Sequence, residues 1–132
     1  MNKPTLTLEQ LKKDIESGAI ETVIVAITDM QGRLQGKRLH ADYFLTDVLD
    51  HGTEGCNYLV AVDVDMNTVQ GYDISSWDTG YGDMVMDIDL NTLCPVDWHP
   101  ATVMVLADLK DHDGNLISQS PRSVLQLSLI HI

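Results

Sequence analysis

The chain has 132 residues, 44% of them hydrophobic, so it is long enough to bury one core. Its 20 acidic and 8 basic residues give a formal net charge of −12, which argues against nucleic-acid binding and against binding to an anionic membrane surface. No apolar run reaches the roughly 18 residues of a membrane span, and the two cysteines lack a CxxC spacing. We therefore expect a cytoplasmic globular protein with an acidic surface and reduced thiols.

Two short helices are predicted near the start of the chain. Thr7 and Gln10 have the spacing of a capping box, and apolar residues then recur at helical spacing up to a glycine, which predicts a helix over 8–17. Apolar residues on one helical face, followed by Gly52, predict a second helix over 41–51.

Two strands are predicted between these helices, at about 21–28 and 33–40. β-branched residues precede the connecting turn, in which Gly32 is expected to adopt a positive φ. The alternative is a phosphate-binding loop. However, Gly32 and Gly36 are one residue too close for G-x-x-x-x-G-K-[ST], and Arg38 stands where a magnesium-binding Ser or Thr is required. Two strands around a turn are therefore favoured.

The segment 58–66 predicts a further strand with alternating character. The face expected to be buried carries Val60, Val62, Val64 and Met66. Asp63 and Asp65 fall on the opposite face. A pair of metal ligands is one reading of these aspartates, but a solvated strand face is favoured because no third carboxylate or histidine stands at a suitable spacing.

Residues 67–82 predict a polar, flexible loop rich in glycine, aspartate and serine. It also carries large aromatic residues, namely Tyr72, Trp77 and Tyr81. Aromatic side chains in a glycine-rich loop seldom serve a core, so this loop is the main candidate for function. The alternative is a loop that folds back on its own aromatic side chains.

The rest of the chain predicts two strands and the start of a helix. The strands are expected at about 83–88 and 102–109, with a hairpin turn at 111–115 marked by its Asp-Gly pair. Ser120 followed by Pro121 predicts a helix start. No pair among the five histidines has metal-ligand spacing, so no metal site is predicted.

Five segments follow one another along the chain: the D-x-x-G-x-x-x-G-K-R stretch at 29–38, Gly71-Tyr72-Asp73 with Ser75-Ser76-Trp77, Gly82 to Met86, Asp89 to Leu93, and Ser120 to Leu125. In this order they resemble the glutamine synthetase family. The resemblance covers roughly residues 5–126 and points to the branch that includes γ-glutamylpolyamine synthetases. It implies an α+β fold, with a β-grasp-like mixed sheet and short helices packed on one face. Periodicity alone would give only α/β or α+β.

The resemblance also implies roles for residues of the glycine-rich loop. Asp73 matches the family's aspartate that binds and deprotonates ammonium or an amine. A carboxylate beside an aromatic face attracts a cation and can accept its proton. Tyr72 and Ile74 depart from the usual F-D-G-S-S form, which leaves room for an amine other than ammonia, such as a polyamine. The substrate-binding residues implied in the same way are Ser75, Ser76 and Trp77.

In whole enzymes of this family, ATP phosphorylates the γ-carboxylate of glutamate and ammonia or another amine displaces the phosphate. The active site contains Mg²⁺ or Mn²⁺ and forms between neighbouring subunits of a homo-oligomeric ring. We expect residues 1–119 to be the N-terminal β-grasp domain and 120–126 the start of a truncated catalytic domain. Residues 127–132 lack charge and look like a translated sequencing adapter, so a non-native tail is expected. The alternative function is a free-standing β-grasp module that binds or regulates without catalysis.

With the catalytic domain absent, this fragment alone is expected to be inactive and to bind neither ATP nor a metal ion. Its only glutamates are Glu9, Glu16, Glu21 and Glu54, and none has a histidine at ligand spacing.

Overall fold

The computed structural model describes residues 6–75 and 80–131. In chain order the elements are α1 (Leu8–Glu16), β1 (Thr22–Thr28), β2 (Leu34–His40), α2 (Ala41–Tyr43), a π-helical turn (Phe44–Val48), α3 (Leu49–His51), β3 (Thr53–Cys56), a 3-10 turn (Asn57–Val60), β4 (Asp83–Pro95), β5 (Thr102–Lys110) and α4 (Pro121–Ile130). No helix in the described part of the chain is long and apolar enough to cross a membrane.

The five strands form one mixed sheet in the order β2-β1-β5-β4-β3. β1 and β5 run parallel, with Thr22 opposite Thr102. β3 and β4 run antiparallel, with Thr53 opposite Met86. β1 and β5 are neighbours inside the sheet, and their side chains are buried along most of β1 and at alternate positions of β5. This architecture confirms the predicted α+β class and mixed sheet.

The chain divides into two compact units. The first comprises the chain up to Ile27, Gly36–Gly52 and Asp87–Ala107. The second comprises Thr28–Gln35, Thr53–Met86 and the residues from Asp108 onwards.

The core of the first unit contains residues of both predicted N-terminal helices and of β1 and β5. Thr7 caps α1 by accepting a hydrogen bond from the Gln10 backbone N–H over 3.1 Å, as predicted. The Gln10 side chain instead donates to Asp14 Oδ1 over 2.8 Å, so only half of the capping box forms. The largest fully buried side chains are Leu11, Val23, Val25, Ile27, Phe44, Val48, Leu93 and Val103.

In the first unit, β2 approaches β1 very closely at Gly36. A Cβ atom on Gly36 would lie 2.0 Å from the Val25 carbonyl oxygen and 2.8 Å from Ala26 Cα. Any side chain at this position would force the two backbones apart. Gly36 of the family-like stretch is therefore a structural requirement of this strand pair.

Three turns of the second unit share one hydrogen-bond pattern. Each begins with an aspartate whose Oδ1 accepts hydrogen bonds from the backbone N–H groups two and four residues later; the three are Asp29, Asp63 and Asp111. The fourth residue of each turn has a positive φ. Glycine fills that position in two turns, whereas Met66 fills it in the third with φ of 67°. Met66 is therefore strained, because a Cβ atom disfavours this region.

The segment 58–66 does not form the predicted strand. Its first residues belong to the 3-10 turn, and Val64 and Met66, which were expected to be buried, are 61% and 38% exposed. The Asp63 side chain bonds the backbone of its own turn, so local hydrogen bonds replace strand pairing. The two aspartates of this segment therefore lie in a turn and not on a strand face. The strand of this region is β3 at Thr53–Cys56, which the sequence pattern did not predict.

In helix α4, which belongs to the second unit, Arg122 forms an ion pair with Asp108, and several apolar side chains are exposed. It begins at Pro121 as predicted, although the Ser120 side chain makes no capping hydrogen bond. Arg122 Nε and Gln126 Nε2 both donate to Asp108 Oδ1 over 3.0 Å. The exposed apolar residues of the helix are Val124, Leu125, Leu127, Leu129 and Ile130.

Candidate functional site

Asp29 is the centre of a hydrogen-bond cluster in the second unit. Its buried carboxylate accepts hydrogen bonds from Arg33 Nε over 2.8 Å and from Gln35 Nε2 over 2.6 Å, besides those of its own turn. Burial acts to raise the pKa of Asp29, but the hydrogen bonds from Gln35 and Arg33 outweigh it, so the pKa lies below its ordinary value of 3.8. Asp29 is therefore ionised at neutral pH and orders its turn.

Arg33 connects this cluster to the turn that begins at Asp63. Its Nη1 donates to the Val64 carbonyl oxygen over 2.7 Å, and its Nη2 lies 3.4 Å from Met66 Sδ. Gln35 Nε2 also lies 3.4 Å from Met66 Sδ. The backbone N–H groups of Gln31 and Arg33 bond the Asp29 carboxylate, and that of Gly32 bonds the Asp29 carbonyl oxygen, so these donors are satisfied within the protein. This arrangement is a structural clamp and does not resemble a phosphate-binding loop.

An acidic cleft of about 290 Å³ opens within the second unit. Its lining includes three carboxylates and no Lys, Arg or His among the residues that the structure describes. The lining residues are Asn57, Asp73, Ile74, Asp83, Met84, Asp111, Leu116, Ile117, Ser118 and Gln119. A concave surface with carboxylates and no basic group favours a cation over an anion.

One of these carboxylates has a fixed charge. The Asn115 backbone N–H, the Asn115 side chain and the Asp113 backbone N–H all bond the Asp111 carboxylate. The hydrogen bond from the Asn115 backbone makes the largest contribution, and together these groups lower the pKa of Asp111 below its ordinary value. The cleft is therefore negatively charged at any pH near neutrality.

Of the four predicted site residues, the structure describes Asp73 and Ser75. Asp73 is exposed and lines the acidic cleft. Ser75 is buried, with 1% of its surface exposed, and its Oγ has no hydrogen-bond partner in the described part of the chain. Ser76 and Trp77 lie outside the residues that the structure describes.

Asn57 is a site residue that the sequence analysis missed. Its Nδ2 donates to the Ile74 carbonyl oxygen over 3.1 Å, and its Oδ1 accepts from the Gly82 backbone N–H over 3.1 Å. The neighbouring residues Tyr58 and Tyr81 pack their rings edge to face, with centroids 6.4 Å apart. Tyr81 therefore contacts an aromatic residue from outside the glycine-rich loop. Since β3 was not predicted, no pattern in the sequence indicated that Asn57 would lie beside Asp73.

Within residues 6–75 and 80–131, no group of three His, Cys, Asp or Glu side chains is arranged to hold a metal ion. The carboxylates of the acidic cleft are included in that statement.

The chain is similar in sequence to curated ligases. It is 53% identical over 126 residues to γ-glutamylethanolamide synthetase GlnA4 of Streptomyces coelicolor, covering 96% of this chain and 27% of that protein. It is 35% identical over 115 residues to a glutamate–isopropylamine ligase of a Pseudomonas species, covering 87% of this chain and 25% of that protein. The chain thus spans about a quarter of the length of the curated relatives that it matches.

Solved structures share the fold. A complex of GmaS with ADP superposes with a TM-score of 0.69 at 20% identity, over 92% of this chain and 24% of that one. A glutamine synthase homologue superposes with a TM-score of 0.68 at 21% identity, over 85% of this chain and 26% of that one. Plasmodium falciparum glutamine synthetase superposes with a TM-score of 0.61 at 14% identity, over 97% of this chain and 23% of that one. No family model matches the chain. The sequence relatives and the shared fold together identify this chain as the N-terminal α+β domain of a glutamine synthetase-like protein.

Proposed function

We propose that this chain is the N-terminal part of an ATP-dependent glutamate–amine ligase and that its Asp73 binds the amine. The observation that carries the proposal is the position of Asp73 in a cleft with two further carboxylates and no described basic lining residue. The names of the relatives support it, since one is a γ-glutamylethanolamide synthetase and the other a glutamate–isopropylamine ligase. Both names describe the joining of glutamate to a small amine.

The charge of the cleft suits the amine better than the other substrates. An alkylamine is a cation at neutral pH, and it must lose a proton before its nitrogen can attack an activated carboxyl group. An exposed carboxylate such as Asp73 can attract the cation and accept that proton. The fixed charge of Asp111 adds to the attraction, because its lowered pKa keeps it ionised. The same charges would repel glutamate and the phosphates of ATP.

The remaining parts of the reaction belong to the rest of the ligase in this proposal. Residues 120–126 lead into a catalytic domain that binds glutamate, ATP and Mg²⁺ or Mn²⁺. Residues 1–119 contribute Asp73, together with Ser75, Ser76 and Trp77, to the active site of a neighbouring subunit in a cytoplasmic homo-oligomeric ring. Residues 127–132 are a non-native tail. The 132-residue chain alone therefore has no ligase activity, and amine-dependent phosphate release from ATP by this chain would refute that part of the proposal.

The role of Asp73 is tested in a full-length ligase, made by joining residues 1–126 to the catalytic region of the Streptomyces relative. Asp73→Asn keeps the shape of the side chain and removes its charge and basicity. We expect amine-dependent turnover to fall by on the order of 10² to 10⁴. The KM values for ATP and glutamate should change little, because neither binds at the acidic cleft.

The matched control is Asp65→Asn. Asp65 is an exposed aspartate of the same unit that does not line the cleft. This variant should keep normal kinetics. If Asp73→Asn retains near-normal kcat/KM for the amine, Asp73 does not have the proposed role.

A further inference from the structure

The Asn57 side chain links two positions of the glycine-rich loop, Ile74 and Gly82. Asn57 Nδ2 donates to the Ile74 carbonyl oxygen, and Asn57 Oδ1 accepts from the Gly82 N–H, each over 3.1 Å. The Asn57 backbone N–H adds a third hydrogen bond to the Gly82 carbonyl oxygen over 2.8 Å. We call these three hydrogen bonds the Asn57 bridge.

The carboxamide of Asn57 matches both of its side-chain partners. The Ile74 carbonyl can only accept a hydrogen bond, and the Gly82 N–H can only donate one. A side chain that satisfies both must place a donor against the Ile74 carbonyl and an acceptor against the Gly82 N–H at the same time, as the two ends of the Asn57 amide do. An aspartate would present two acceptors, and an alanine neither group. These partners also determine which way the amide is turned.

The Asn57 bridge holds the backbone beside two carboxylates of the acidic cleft. Ile74 directly follows Asp73, and Gly82 directly precedes Asp83; both aspartates line the cleft, as Asn57 itself does. Tyr58 directly follows Asn57, and Tyr81 directly precedes Gly82. Their packed rings add a second connection at the same place. The backbone next to Asp73 is thus fixed by contacts with the 3-10 turn.

We propose that Asn57 is a positioning residue for amine binding. It holds the backbone at Ile74 and at Gly82, so that the Asp73 carboxylate is ordered in the cleft before the amine arrives. A preordered carboxylate binds its cation more tightly, because less conformational freedom is lost on binding. This inference rests on the proposed function, since it takes Asp73 as the residue that binds the amine.

The first test uses the 132-residue chain and needs no ligase activity. Asn57→Ala should speed amide hydrogen exchange of the Gly82 N–H and of residues 73–75 by roughly tenfold, whereas exchange in β1 and β5 should stay unchanged. The matched control, Asn67→Ala, removes one exposed hydrogen bond of 3.3 Å to Asp63, and exchange around Asp73 should not respond. Unchanged exchange near Gly82 in Asn57→Ala would overturn the proposal. If Asn57→Ala does not fold, Asn57→Ser takes its place with the same expected result.

The second test measures kinetics in the full-length ligase described above. Asn57→Ala should raise the KM for the amine roughly tenfold, whereas the KM values for ATP and glutamate should stay within about twofold. Asn57→Gln, which keeps the donor and the acceptor, should recover part of the loss. A uniform fall in kcat without an effect on the amine KM would mean that Asn57 has only a structural role.

The two proposals fail in different ways. If Asp73→Asn lowers amine-dependent turnover and Asn57→Ala does not change the amine KM, the positioning role is wrong and the proposed function stands. If Asp73→Asn leaves amine kinetics normal, the proposed role of Asp73 is wrong, and the positioning proposal falls with it even where hydrogen exchange shows that the bridge exists.

Discussion

Gly36→Ala should destabilise this domain strongly. An added methyl group would lie 2.0 Å from the Val25 carbonyl oxygen and 2.8 Å from Ala26 Cα. Real Cβ contacts are essentially never shorter than 3.0 Å, so the backbones of β1 and β2 would have to separate by about 1 Å. Both obstructing atoms belong to the backbone, so no side chain can rotate away to relieve the contact.

The magnitude follows from two contributions. Overpacking that forces a backbone shift typically costs about 1 to 3 kcal/mol. Separating the strands also weakens hydrogen bonds between them, each contributing about 1 kcal/mol. We expect the free energy of unfolding to fall by about 3 kcal/mol, which lowers the Tm by roughly 10 to 15 °C for a chain of this size.

Urea and thermal unfolding, followed by circular dichroism, measure the effect. Gly32→Ala is the matched control. Gly32 has φ of 78°, and an added Cβ atom would meet nothing within 4 Å, so this variant should lose only about 1 kcal/mol through backbone strain. Gly32→Asn should lose less than Gly32→Ala, because asparagine tolerates this conformation. A Gly36→Ala variant within about 0.5 kcal/mol of the parent chain would refute the close approach of the strands.

Two further predictions concern charge and the exposed helix. Because hydrogen bonds lower the pKa of Asp29 in the folded chain below 3.8, its ionised form stabilises the fold above the unfolded-state pKa, and this contribution is lost as the pH falls through the folded-state value. At pH 7, urea titrations should show Asp29→Asn to be less stable than the parent chain by about 2 kcal/mol. Below about pH 4 the parent chain should lose more stability than Asp29→Asn, because the variant has no carboxyl group to protonate at this position. Parallel pH profiles for the two chains would contradict this. Leu127, Leu129 and Ile130 are 51%, 50% and 74% exposed, and exposed apolar side chains promote self-association. Truncation after Gln126 removes them and should therefore reduce the self-association measured by sedimentation velocity. Equal association of the truncated and the parent chain would count against this.

Local patterns in the sequence were sufficient for most of the helices and strands. The capping threonine and apolar spacing predicted α1, and the β-branched run before Gly32 predicted β1 and its turn. The Asp-Gly pair predicted the turn that begins at Asp111. The helix cap and the two turns depend on hydrogen bonds between residues two to four positions apart, so the information that specifies them is local. β1 pairs with distant residues, and its β-branched run alone indicated it.

The prediction failed where distant partners or competing local bonds decide the structure. The alternating residues of 58–66 predicted a strand, but the Asp63 side chain bonds its own turn there. β3, at Thr53–Cys56, contains Glu54 and Gly55 and has no β-branched run, so it depends on pairing with β4.

The candidate site shows the same division. The sequence alone determined that Asp73 stands in a glycine-rich loop, and the resemblance to glutamine synthetases singled it out. Only the tertiary structure decided that Asp83, Asp111 and Asn57 lie around it in one cleft. These residues come from three separate stretches of the chain, and the pairing of β3 with β4 and the turn after β5 bring them together. No spacing in the sequence encodes such a meeting, because it depends on contacts between elements and not on the residues within any one of them.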